Sequence, residues 1–316
     1  MFAQSLALLS AASMAVATTE PPTTELDTSE PDLRSAAPSL VDEKAWGNIE
    51  LLTIFEDRHR RMTIPVTIEG EGPFNFMVDT GSQATVVTRQ LGERLQLEPL
   101  GSVVIVGMAS SKETQLVRLD GLEFASRVFD NIEAPLLEER HLGADGILGL
   151  DSLQDMRIVI DFRQEEMLVA NASEAPQDRG YEIVVRARRK LGRLIITNAK
   201  IDGVTTALII DTGAQGTVGN LALQKKLRAR RRDTVIATDV NGNQISGELS
   251  YVSKLKVDDM VLTRVPITFA DGVPFKVLGL NDKPAILLGM ENLRAFDRVA
   301  IDFSSREILF DLPRDL

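Results

Sequence analysis

Apolar and polar positions alternate in short runs along most of this chain. The runs are bounded by Gly, Asn and Asp, which predicts strands joined by tight turns. The pattern occurs twice in the same order. A first set holds Ile64 to Ile68, the polar turn "EGEGP", the run "FNFMVDTGSQATVV", a helix-like "TRQLGERLQL", a hairpin-like "VVIVGMASSKETQLV" and a closing "GILGLDSLQDMRIVIDFRQEEMLV". The second holds Leu194 to Ile201, the turn "DGVT", "ALIIDTGAQGTVG", a helix-like "NLALQKKLRAR", a hairpin-like "TVIATDVNGNQISGEL" and "AILLGMENLRAFDRVAIDFSSREILF". Asn241-Gly242, set between two β-prone runs, marks a hairpin turn.

Spacing is kept as well as order. Asp79 precedes Gly149 by 70 positions and Asp211 precedes Gly289 by 78, and the "IDF" aspartates Asp161 and Asp302 follow those glycines by 12 and 13. The extra residues of the second set are expected in a loop near "DGVPFKVLGLNDKP". The chain therefore reads as a tandem duplication, with units at 46–172 and 181–316 and a polar linker at 173–180. A mainly β fold is expected: two homologous barrel units about a pseudo-twofold axis, each with one short helix. At 316 residues and 44% hydrophobic content there is material for two cores.

The stretch before the repeat has a different character. "MFAQSLALLSAASMAVATTEPP" is an apolar run ending in Ala15-Val16-Ala17, the small-x-small pattern of a leader cleaved after residue 17, although no Lys or Arg precedes it. Residues 18–45 carry "TTEPPTTELDTSEP", which buries too little apolar surface to fold alone and reads as an acidic linker or propeptide. No later stretch reaches the roughly 18 apolar residues of a membrane span. Export without cysteine fits a bacterial periplasm first and secretion second.

Composition removes several chemistries. The absence of cysteine excludes thiol catalysis, disulfides and thiolate metal sites. His59 and His141 are isolated, without the spacing of a histidine metal site, so no metal or other cofactor is expected. A net charge of −11 argues against nucleic-acid binding. Basic residues concentrate at Arg186 to Arg193 and at Lys225 to Arg232, where they offer either a weak contact with an anionic surface or a solvated strand and helix. Nucleophile-elbow, P-loop and dinucleotide motifs are all missing.

The two D-T-G turns remain. Placed face to face across the axis, Asp79 and Asp211 could not both ionise, so they would share one proton: the ionised member takes a proton from water while the protonated member hydrogen-bonds the carbonyl under attack. Gly81 and Gly213 let the turns approach closely. Thr80 and Thr212 are positioned to bond across the axis. Ser82 follows one turn and Ala214 the other; a Ser82 hydroxyl bonded to Asp79 would make Asp79 the base and leave the proton on Asp211.

These turns, each followed by an apolar-apolar-Gly element ("ILG" ending at Gly149, "LLG" ending at Gly289), resemble the aspartic proteases of the pepsin and retropepsin group. The resemblance covers about Trp46 to Pro313, and the chain is similar to two retropepsin subunits fused end to end, as in predicted periplasmic aspartyl proteases of bacteria. It implies that Asp79 and Asp211 are catalytic, that an extended peptide or protein is the substrate, and that the fused pair works as a monomer. It also implies a flap in each unit, expected at Val106 to Lys112 (Val106, Gly107, Met108) and at Asp239 to Gln244 (Asn241, Gly242, Asn243). The chain departs from vertebrate pepsins in lacking cysteine and a flap tyrosine. A second reading is a catalytically silent peptide-binding or scaffold protein of the same shape.

Overall fold

Two-residue turns set the pairing. Glu69 and Gly70, at φ 50° and 80°, join the strands Met62–Ile68 and Glu71–Val78; Asp202 and Gly203, at φ 45° and 83°, join Arg193–Ile201 and Val204–Ile210. Positive φ at both central residues matches the twist of the flanking strands, so each E-G or D-G pair closes an antiparallel hairpin. The computed structural model describes residues 6–8, 12–13, 50–53, 55–56, 62–172, 181–228 and 233–313.

In both units the second strand of that hairpin runs into the D-T-G turn. It is paired in parallel with the apolar-apolar-Gly strand, Gly146–Leu148 in the first unit and Ala285–Leu288 in the second. That strand is sandwiched, because Val86–Thr88 and Val218–Gly219 lie antiparallel on its other side. The chain then forms the expected helix after the turn, Arg89–Arg94 capped by Thr88 and Leu221–Leu227 capped by Asn220. Among the described residues four shorter helices add to these: Glu139–Leu142, Leu150–Leu153, Val273–Val277 and Met290–Leu293. The extra length of the second unit falls where expected, between Met260–Phe269 and Ala285–Leu288.

Each unit also extends a long hairpin, Pro99–Val106 with Ser111–Leu119 and Asp233–Asp239 with Gln244–Val257. A third sheet of six strands joins the units: Met156–Asp161 of the first pairs antiparallel with Arg298–Asp302 of the second, Val159 opposite Ala300. The result is mainly β, two units in tandem. One buried apolar cluster runs through both, from Ile64, Phe76 and Leu148 to Ile196, Leu208 and Leu288. Among the described residues no helix is long and apolar enough to cross a membrane.

Candidate active site

The backbone delivers both aspartates to one place by the same bonds. Asp79 donates its amide to the Leu148 carbonyl at 3.1 Å, and Asp211 donates to Leu288 at 3.0 Å. Both residues are fully buried. Contact between the turns is direct: a Cβ added to Gly213 would stand 2.3 Å from Asp79 Cγ, so only glycine leaves room for that carboxyl.

The threonines lock the turns across the axis. Thr80 Oγ1 donates to the Ile210 carbonyl at 2.9 Å and Thr212 Oγ1 donates to the Val78 carbonyl at 2.7 Å. Each hydroxyl also accepts from the other unit's threonine amide, Thr80 Oγ1 from Thr212 at 3.3 Å and Thr212 Oγ1 from Thr80 at 3.0 Å. Four crossed bonds among buried groups leave the turns little freedom to slide.

A sequence-family model of aspartyl proteases matches residues 64–152 and again 197–292. The chain belongs to the aspartyl protease family. No individually curated protein matches it.

In this family member each D-T-G turn is buttressed from behind by residues the motif alone does not name. Thr85 Oγ1 accepts from the Gly149 amide at 3.2 Å and Thr217 Oγ1 accepts from Gly289 at 3.1 Å. Thr85 Oγ1 then donates to Asp151 Oδ1, and Thr217 Oγ1 donates to Asn292 Oδ1, both at 2.6 Å. The signal was present in the sequence: both threonines stand six positions after their aspartate, inside the repeated stretches "SQATV" and "AQGTV". Gly149 explains its identity by proximity, since a Cβ there would lie 2.3 Å from the backbone of Ala84.

The expected role of Ser82 is corrected. Its amide closes the turn on the Asp79 carbonyl at 3.2 Å, and its hydroxyl donates to the Ala84 carbonyl at 2.8 Å, not to the Asp79 carboxylate. Main-chain amides hold the carboxylates instead, Gly81 to Asp79 Oδ1 at 2.7 Å and Ala214 to Asp211 Oδ1 at 3.1 Å. The Ser82/Ala214 difference therefore gives no grounds for assigning base and acid.

Val106, Gly107 and Met108 lie at the tip of the first long hairpin, and Asn241, Gly242 and Asn243 at the tip of the second. The tips meet. Asp239 Oδ2 accepts from the Ser110 hydroxyl at 2.8 Å and the Ala109 amide at 3.1 Å, while Asp239 Oδ1 accepts from Asn241 and Asn243 of its own turn at 3.0 and 2.9 Å. They also cross over: Met108 packs in the second unit's apolar cluster with Phe275 and Leu287, and Val240 packs in the first unit's with Ile105 and Ile147. Met108 accepts from the Val273 amide at 3.0 Å. His141 lies under Gly242, with its pKa lowered by burial and by the neighbouring Arg140 charge.

The basic run is not one face. Arg186, Arg188, Arg189 and Lys190 are exposed, but Arg193 is only 1% exposed and donates to the Gly81 carbonyl. Burial pulls its pKa down to about 10 against the opposing pull of the Asp79 and Asp211 carboxylates, so it stays cationic at neutral pH. In the other run, residues 229–232 lie outside the described residues. His59 and residues 18–45 and 173–180 do so as well.

Proposed function

We propose that this chain is an aspartic endopeptidase, with Asp79 and Asp211 as the catalytic pair. The observation that carries the reading is the Asp79 carboxyl seated against Gly213 of the opposite turn, where both aspartates are buried and the turns are cross-bonded. Two carboxylates buried on turns cross-bonded in this way would share one proton. One member removes a proton from water as the water attacks the scissile carbonyl; the other donates a hydrogen bond to the carbonyl oxygen and later its proton to the leaving amine. The proton is assigned to the pair and not to either residue.

The edges of the two long hairpins supply a seat for an extended peptide. Leu6–Leu8 pairs parallel with Val104–Val106, and Ala12–Ser13 pairs antiparallel with Thr238 and Asp239. Opposite senses are what one straight chain must adopt on strands related by a twofold axis, and a substrate strand would be gripped by the same main-chain bonds. We place the protein in a bacterial periplasm, working as a single chain, with residues 1–17 as a leader and 18–45 as a tether or propeptide. Exposed Arg188 and Arg189 favour regions of negative charge only weakly.

The test is cleavage of a mixed peptide library from pH 3 to pH 8 by the chain beginning at Thr18, beside Asp79→Asn and Asp211→Asn. Cleavage should fall by at least about a thousandfold in each variant. Activity that survives either change overturns the shared pair, and a parent inert at every pH selects the silent binding protein.

A further inference from the structure

Arg193 is not used by the reaction described above. It opens the strand Arg193–Ile201 of the second unit, immediately after Leu191 and Gly192, whose φ values of 49° and 82° make a hairpin turn. This turn leans on the first unit: the Leu191 carbonyl accepts from the Gln83 side chain at 3.0 Å, and a Cβ on Gly192 would stand 3.1 Å from Leu150 Cδ1. The guanidinium is thereby carried across the axis to the Gly81 carbonyl. Gly81 in turn holds Asp79 Oδ1 through its amide at 2.7 Å.

We propose that Arg193 is a positioning residue for the pair: it fixes the first D-T-G turn through the Gly81 carbonyl, and its charge holds Asp79 and Asp211 ionised to lower pH than two buried carboxylates would reach alone. The proposal rests on the endopeptidase reading. Burial and mutual repulsion both push such a pair toward protonation, so a lone pair would gain its working singly protonated form at high pH and lose it late. A permanent cation inside the same dry site opposes both effects, and arginine does not surrender its proton between pH 3 and pH 8.

The other charged groups around the pair do not substitute for it. Asp151 behind the first turn is tied to Thr85, and Glu291 behind the second donates its amide to Gln215; both carboxyls have pKa values raised by burial. Lys190 directs its ammonium to the Leu278 carbonyl. Asp239 belongs to the second hairpin tip, bonded to Ser110, and His141, on the helix Glu139–Leu142, lies under Gly242 of that tip.

The experiment compares pH profiles of kcat/KM for the parent, Arg193→Met, Arg193→Gln and Arg193→Lys, alongside carbon-13 NMR titration of the aspartate carboxyls, which needs no turnover. In the Met and Gln variants both limbs of the profile should move up by about one pH unit, and the carboxyl titration with them. Lys, which keeps the charge, should leave the limbs within a few tenths of a unit of the parent. Gln keeps a donor for Gly81 and serves if Met does not fold. Limbs and titrations unmoved in a folded Met or Gln variant overturn the proposal. A parent that cleaves nothing, but whose carboxyl titration still moves on loss of Arg193, defeats the endopeptidase reading and leaves the coupling standing.

Discussion

Single atoms decide the geometry of the two turns, and the glycines show how. Gly213→Ala would set a methyl 2.3 Å from Asp79 Cγ and 2.4 Å from its Oδ2. The carboxyl must swing away while the backbone stays, so cleavage should fall by about a hundredfold or more with circular dichroism unchanged. Thr212→Val tests stability instead, because it strips the donor from the Val78 carbonyl and the acceptor from the Thr80 amide, both buried. A cost of about 1–3 kcal/mol in urea unfolding is expected. At this scale D-T-G and its glycine were legible from the sequence, since close approach leaves few residue choices. The Ser82 hydroxyl was not: a hydroxyl beside a carboxylate in sequence has several acceptors in reach, and here the backbone carbonyl of Ala84 takes it.

Elements were legible wherever a turn residue is restricted. The E-G, D-G and N-G pairs located hairpins because positive φ admits few side chains. What the hairpin tips do with each other was hidden, since Ser110 and Asp239 are 129 positions apart and no local pattern joins them. Asp239 is the clasp: it gathers donors from both tips, two from the first and two from its own. Asp239→Ala removes all four acceptor contacts at once. Deuterium should then enter residues 107–110 and 240–243 at least about tenfold faster, with protection of Met62–Ile68 unchanged. Equal acceleration throughout the barrel would mean that the residue supports the fold and does not clasp the tips.

The whole molecule depends on the six-stranded sheet, where strands from both units alternate charge with packing. Arg157 faces Asp302 at 3.9 Å and Arg298 meets Asp311 at 2.6 Å, all four side chains nearly or fully buried. The duplicated "IDF" spacing located these strands, but not the aromatic that covers the arginines. Tyr181 lies 5.8 Å from Arg157 and 5.0 Å from Arg298, bridging the units by two cation–π contacts. Its hydroxyl has no hydrogen-bond partner among the described residues. Burial, partly offset by the two arginines, pushes its pKa up to about 12. The sign follows directly. An unfolded tyrosine ionises near pH 10 while the folded one resists until about pH 12, so stability present below pH 10 is lost across that window, by about 2–3 kcal/mol. Tyr181→Phe keeps the ring over both arginines and cannot ionise, so the difference between parent and variant should open in the variant's favour between pH 10 and pH 12. Urea midpoints at pH 9 and pH 11.5 measure it, every other alkaline titration being common to both chains. Because the ring touches strands of both units, the two should unfold in one transition in either protein; parallel curves at both pH values would show that the hydroxyl titrates unperturbed.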